Sequence, residues 1–374
     1  MKKIFKLSYD AVTIVTAVAV IAGTIGLSTP SAAQAVSDFA EKAVKSAEKV
    51  SATPFSAILS DISSTDTIEA ERTVFTANPL SSLTQTPEDI LTLINAAEAN
   101  AKNDIEDGKI EERKYTAINT STLIGNIAVR NNTDTQKNIN LLKYYEADPE
   151  IKITDKAQPS VLIFHTHTTE CYELLDRKWY AQDYITRSNS SDRNMVRVGM
   201  EIKDELEKAG YTVIHDTEIH DTKYTGAYAH SRKSVEKYLE EYPSIQVVLD
   251  IHRDAIEQSN GVRIKPTAEI LGKKAAQLMI ISGCEEGKVT DFPDWEKNLT
   301  FALRLQSVCE ENFPGLMRPL YFCQRKYNMD LSPNNLLVEV GSCANTLEEA
   351  VYAGRLLGNS LATLLDRSTN EKAD

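Results

Sequence analysis

The chain of 374 residues has only five cysteines, at 171, 284, 309, 323 and 343, and no two of them stand in a CxxC spacing. An odd and scattered set excludes a disulfide framework and a zinc knuckle, although a single bridge stays open in an exported chain. Basic patches are missing too. The formal net charge is -13, with Asp and Glu interspersed among Lys and Arg. Such a chain repels nucleic acid, which is excluded as a partner. No internal repeat is apparent. What the chain does have is 42% apolar residues, enough for a sizeable core in one domain with tails or in two domains.

Charge is absent from one long stretch. After three lysines in "MKKIFKLSYD", the run from Ala11 to Leu27 carries no charge, and none appears before Asp38. A soluble helix of that length would show a polar face. The segment 1–35 therefore reads as a membrane anchor or a secretory signal, with Ala33-Gln34-Ala35 offering a cleavage site. The basic start puts the rest of the chain outside the cytoplasm, at the cell membrane or secreted.

Residues 36–110 are rich in Ala, Ser, Thr and Glu and read as a linker, with one helix expected at "TPEDILTLINAAEANAKN". Residues 111–157 look β-rich, with "STLIGNIAVRNNT" and "INLLKYYEA" arranged around an Asn-Asn turn. From 158 to 370 the pattern changes. Short apolar runs such as "SVLIFH", "YTVIHD", "IQVVLDIH", "AAQLMIISG" and "NNLLVEVG" alternate with helical segments. This predicts an α/β domain of three layers around a mostly parallel central sheet.

All six histidines fall between His165 and His252. His165 and His167 follow one predicted strand, His252 ends another, and Glu339 lies in a third. Parallel strands bring their C-terminal ends to one edge, where α/β proteins build their sites. Two histidines and a carboxylate form the ligand set of a catalytic zinc, and a further glutamate can move the proton. A carboxylate in an apolar strand, as at Glu339, needs a partner or a raised pKa. His215, His220 and His230 read as loop or helix-surface residues without a site role.

"VLIFHTHTTECY", "IQVVLDIHRDAI" and "NNLLVEVGSCANTLEEA", in that order, resemble the stage II sporulation protein P family. "NMVRVGMEIKDEL" and "GYTVIHDTEIHD" add to the resemblance, which covers about residues 110 to 367. It implies a membrane-anchored peptidoglycan hydrolase of endospore-forming bacteria, with an amidase-like fold. The implied chemistry is zinc-dependent cleavage of the N-acetylmuramoyl-L-alanine amide, together with stem-peptide cross-links. The implied setting is septal thinning and engulfment, alongside the lytic transglycosylase stage II sporulation protein D. Carried over onto this chain, His167 and His252 are the metal ligands and Glu339 the catalytic acid-base. The usual ligand glutamate has no counterpart in "RSNSSDRNMV", so Glu170 takes the middle position, with Asp192 as the rival. His165 is a ligand or a supporting residue, and Arg253 and Asp254 contact substrate or form a salt bridge. Two other readings remain: a wall-binding scaffold without catalysis, and a zinc carboxypeptidase on wall peptides.

Overall fold

The computed structural model describes residues 79–370, apart from 102–103, 119–120, 135 and 182. The apolar segment of residues 1–35 and most of the expected linker lie outside the described residues. Among those described, no helix is long and apolar enough to cross a membrane.

The first elements are helices α1 (Pro79–Thr84) and α2 (Glu88–Asn100), strand β1 (Glu106–Arg113), the hairpin β2 (Thr122–Ile124) and β3 (Ile127–Asn132), and helix α3 (Leu141–Glu146). Two expectations change here. The hairpin turns at Gly125-Asn126, where Gly125 takes a φ of 54°, and not at the Asn-Asn pair, which lies at the end of β3. "INLLKYYEA" is helical rather than extended. The Asn140 side chain caps α3 by accepting from Lys143 N, and Leu141 and Tyr144 are buried on one face.

The remaining elements are β4 (Pro159–Phe164), β5 (Trp179–Ala181), α4 (Met195–Lys208), β6 (Thr212–His215), α5 (Ala227–Glu241) and β7 (Val247–Asp254). They are followed by β8 (Arg263–Ile270), β9 (Lys273–Ala276), β10 (Leu278–Gly283), α6 (Trp295–Asn312), β11 (Leu320–Cys323), β12 (Asn335–Ser342) and α7 (Leu347–Asn370). The architecture is mixed α/β, as the alternation predicts. "AAQLMIISG" breaks at Gln277 into β9 and β10, which belong to different sheets.

The main sheet has the order β2-β3-β11-β10-β12-β7-β4-β6. β12, β7, β4 and β6 run parallel to one another. The direction reverses between β10 and β12; β10, β11 and β3 are again mutually parallel, and β2 reverses once more against β3. A second sheet, β5-β1-β8-β9, has no counterpart in the sequence reading. Residues 106–157 thus contribute strands to both sheets: β1 pairs with β8, and β3 with β11.

Alternation along the strands sorts the core into two faces. Val161 and Ile163 of β4, with Val247, Leu249 and Ile251 of β7, share a cluster with Val198 and Ile202 of α4 and with residues of α6 and α7. Leu162, Phe164 and Val248 pack on the other face with Val235 of α5. All five cysteines are free and buried.

Helices α4 and α7 cross closely because α7 presents glycine at the contact. A Cβ on Gly358 would stand 2.7 Å from the Ile202 carbonyl oxygen and 2.9 Å from Glu205 Cβ. Gly358→Ala gains about 1 kcal/mol of helix propensity, but overpacking costs about 1–3 kcal/mol. The expected result is a lower urea midpoint for Gly358→Ala. An unchanged or raised midpoint would show that the crossing has slack.

Candidate active site

Strand order brings the chemistry together. β4, β7 and β12 are parallel neighbours, and in the β12–β7 register Glu339 stands directly opposite His252. His252 lies within β7 rather than beyond its end. Asp250 and His252 share the strand parity of Val248 and so face the α5 side. Immediately after Glu339 the β12–β7 register shifts, and Gly341 takes a φ of 62°. A Cβ there would come within 2.5 Å of Asn345 Oδ1, so the turn requires glycine.

His167, Glu170 and His252 converge at this edge. The two imidazole rings meet edge to face, with centroids 5.3 Å apart. His252 Nδ1 lies 3.7 Å from Glu170 Oε2, which also accepts from Arg253 N at 3.4 Å. All three residues are buried. Asp192, the rival to Glu170, is exposed on the turn before α4. His165 points to the opposite face of the sheet. Its Nδ1 meets the Ile251 carbonyl at 3.0 Å and its Nε2 meets His215 Nε2 at 2.8 Å, beneath Gly199 of α4. It reaches the site only through the backbone beside His252. Arg253 donates to the carbonyls of Cys171 and Thr186, and Asp254 pairs with Arg318 at 3.0 Å.

Several supporting residues escape sequence reasoning. Asp250 is fully buried, accepts from Thr166 N and Oγ1 at 2.8 and 2.7 Å, and lies 2.8 Å from His252 Nε2. That last contact is a close ion pair whose geometry is out of line for a hydrogen bond. Asp221 accepts from Thr169 N and Oγ1, pairs with Arg187, and approaches His167 Nδ1 to 3.9 Å. Arg187 also reaches Glu170 Oε1 at 3.5 Å. Tyr224 stacks flat on the His167 ring, at 4.8 Å between centroids, and Tyr228 meets it edge-on. Asp250 did carry a signal: an aspartate inside "VVLDIH" raises the same question as Glu339.

Charges are unevenly held. Burial pushes the Glu339 carboxyl up to about 8, with His252 opposing the rise. Burial by itself would lower His252, but Asp250, and after it Glu170 and Glu339, hold the ring at about 9. Burial and the neighbouring His252 lower His167. His167 Nδ1 and His252 Nε2 make no aligned hydrogen bond but face the Asp221 and Asp250 carboxylates, whereas Glu339 Oε2 is buried with neither a hydrogen bond nor an ion pair among the described residues. An orphaned polar atom of this kind calls for an ion or water. Two imidazoles and a carboxylate suit zinc. The donor atoms of His167, Glu170 and His252 do not all come within 4.8 Å of one another, so coordination would draw the side chains inward.

Glu339 and His252 both keep a proton in the folded, metal-free chain at pH values where the unfolded chain gives it up. Stability from each is fully present below its unfolded value, 4.5 or 6.5, and is lost as pH rises through about 8 or about 9. The melting temperature of chelator-treated protein is therefore expected to fall between pH 6.5 and 9. Glu339→Gln should flatten that slope, and an equal slope in both proteins would contradict the assignment.

The model of the stage II sporulation protein P family matches residues 70–362. Stage II sporulation protein P of Bacillus subtilis is 29% identical over 216 residues, covering 54% of this chain and 50% of that protein. This chain thus spans about half the length of the curated relative it matches. Among solved structures, the CwlD amidase from Clostridioides difficile in complex with the GerS lipoprotein aligns over 56% of this chain and 99% of that one, with 10% identity and a TM-score of 0.35. The N-acetylmuramoyl-L-alanine amidase AmiC2 of Nostoc punctiforme aligns over 57% and 97%, with 10% identity and a TM-score of 0.32. Those structural likenesses are loose, and membership rests on the sequence match across most of the chain: this chain belongs to the stage II sporulation protein P family.

Proposed function

We propose that this chain is a zinc-dependent peptidoglycan hydrolase that cleaves the amide between N-acetylmuramic acid and L-alanine, and also stem-peptide cross-links. The observation that supports it most is the convergence of His167, Glu170 and His252 with Glu339 in register opposite His252. Family membership supports the sporulation setting, namely septal thinning and engulfment with stage II sporulation protein D as partner and the leading apolar segment as membrane anchor.

His167, Glu170 and His252 would hold the ion. When bound, zinc supplies Lewis-acid polarisation of the scissile carbonyl. The rest of the work falls to the chain's own side chains. Asp250 and Asp221 stand against the two imidazoles and fix their orientation, as carboxylates behind ligand histidines do. Glu339 takes a proton from the attacking water at Oε2 and returns it to the leaving amide nitrogen. A carboxyl held near neutrality by burial suits both halves of that transfer. Beside a bound cation Glu339 would hold its proton less tightly and would start the cycle in its base form. Arg187, half-exposed beside Glu170, offers a charge for a substrate carboxylate.

Purified protein is expected to release stem peptides from isolated cell wall and to leave free lactyl groups on the glycan. Glu339→Gln should keep its fold and metal and lose activity by about 10²–10⁴-fold. Full activity in that variant would sink the mechanism. Shortened stems without free lactyl groups would point to a carboxypeptidase instead.

A further inference from the structure

We infer that Glu218, His220 and His230 form a second binding site, for a divalent transition-metal cation of the zinc class. One ligand atom from each lies within 4.8 Å of the others, the tightest such grouping of His, Cys, Asp and Glu among the described residues. The site stands apart from Glu339 and independently of the proposed activity. Its residues come from the loop after β6 and from the first turn of α5.

The arrangement around His220 carries the inference. His220 is buried, and its Nε2 faces the buried Asp216 carboxylate at 2.9 Å. That carboxylate also accepts from Glu218 N at 3.0 Å. A proton on Nε2 satisfies Asp216 and leaves the Nδ1 lone pair directed outward. This is the carboxylate–histidine arrangement that sets ring orientation behind a metal. His220 Nδ1 then meets His230 Nδ1 at 3.2 Å, with the rings steeply inclined. Two imidazoles on one tetrahedral zinc, with Zn–N of about 2.0–2.1 Å, place their nitrogens about 3.3 Å apart.

A plain N–H···N bond would account for that contact alone. It does not account for the second carboxylate, whose Glu218 Oε1 lies 3.6 Å from His230 Nε2. Among the described residues neither Asp216 nor Glu218 has a Lys or Arg ion-pair partner. Two carboxylates around two imidazoles leave negative charge that a dication neutralises. Glu218 and His230 are exposed, which gives the ion an entry path and leaves a coordination position for water. The Ser234 hydroxyl reaches Glu218 Oε2 at 3.4 Å and helps hold the third donor.

The place of the site gives it a consequence. The same loop carries Asp221, which anchors Thr169, and Tyr224, which covers His167. The Thr168 hydroxyl lies against the Glu218 carbonyl and accepts from His220 N. A cation clamping Glu218 and His220 to α5 therefore stiffens one wall of the candidate active site.

Metal stoichiometry tests this in the full chain. Metal-free protein titrated with Zn²⁺ alone by calorimetry is expected to take up two ions. His230→Ala and Glu218→Gln, both changes at exposed positions, should each take up one, as should His167→Ala. The double variant His167→Ala/His230→Ala should take up none. If His230→Ala and Glu218→Gln both keep the wild-type stoichiometry, the second site does not exist. If the single ion of a one-ion wild type is lost with His230→Ala and kept with His167→Ala, the inferred site stands and the reading of the other fails.

Discussion

One buried carboxylate ties the site to the fold. Asp250 sits in the middle of β7 with no exposure, among strands that otherwise bury apolar side chains. Burial alone would raise its pKa, but the His252 ring and the Thr166 donors bring it below the ordinary range. It therefore stays charged where an isolated carboxylate would cost several kcal/mol. Its two hydrogen bonds to Thr166 fix the direction in which the chain leaves β4. That direction sends His165 to one face of the sheet and delivers His167 and Glu170 to the other.

The strands that build the site were legible because they are buried on both faces. "VLIF", "VVLDI" and "LLVEV" are apolar runs with no alternation, and each corresponds to a central strand. The convergence of His167, His252 and Glu339 followed from that and from parallel order. The second sheet was not legible. Its strands include "EDGKIEER" and "RIKPTAEI", in which charged residues fill the positions that a hydrophobic pattern needs. Lys265 is buried in β8 by pairing with Asp176 and Glu349, a tertiary arrangement that no local window contains. Helix α3 is hard to tell from a strand by sequence because its paired tyrosines and the isoleucine before it favour strands, whereas the Asn140 cap marks a helix start.

The roles of the histidines divide along similar lines. Two residues apart along a strand would share a face, so it is the turn after β4, held by Thr166 on Asp250, that sends His165 and His167 to opposite faces. His220 and His230 looked like surface residues in the sequence, and His230 is indeed exposed. What the sequence hides is that the loop after β6 folds back against the first turn of α5. Asp221 and Tyr224 ride on that same loop, so their approach to His167 was equally hidden.

The five thiols have a consequence of their own. Burial pushes Cys171 up to about 11 and Cys284, Cys309 and Cys323 up to about 12, and it raises Cys343 as well. Thiolate is the species that attacks oxidants and disulfides, and in the folded chain it is both scarce and sealed away. The odd number of cysteines is then harmless in an oxidising surrounding once folding is complete. In such a surrounding the hazard would be confined to the interval before the core closes over the five thiols.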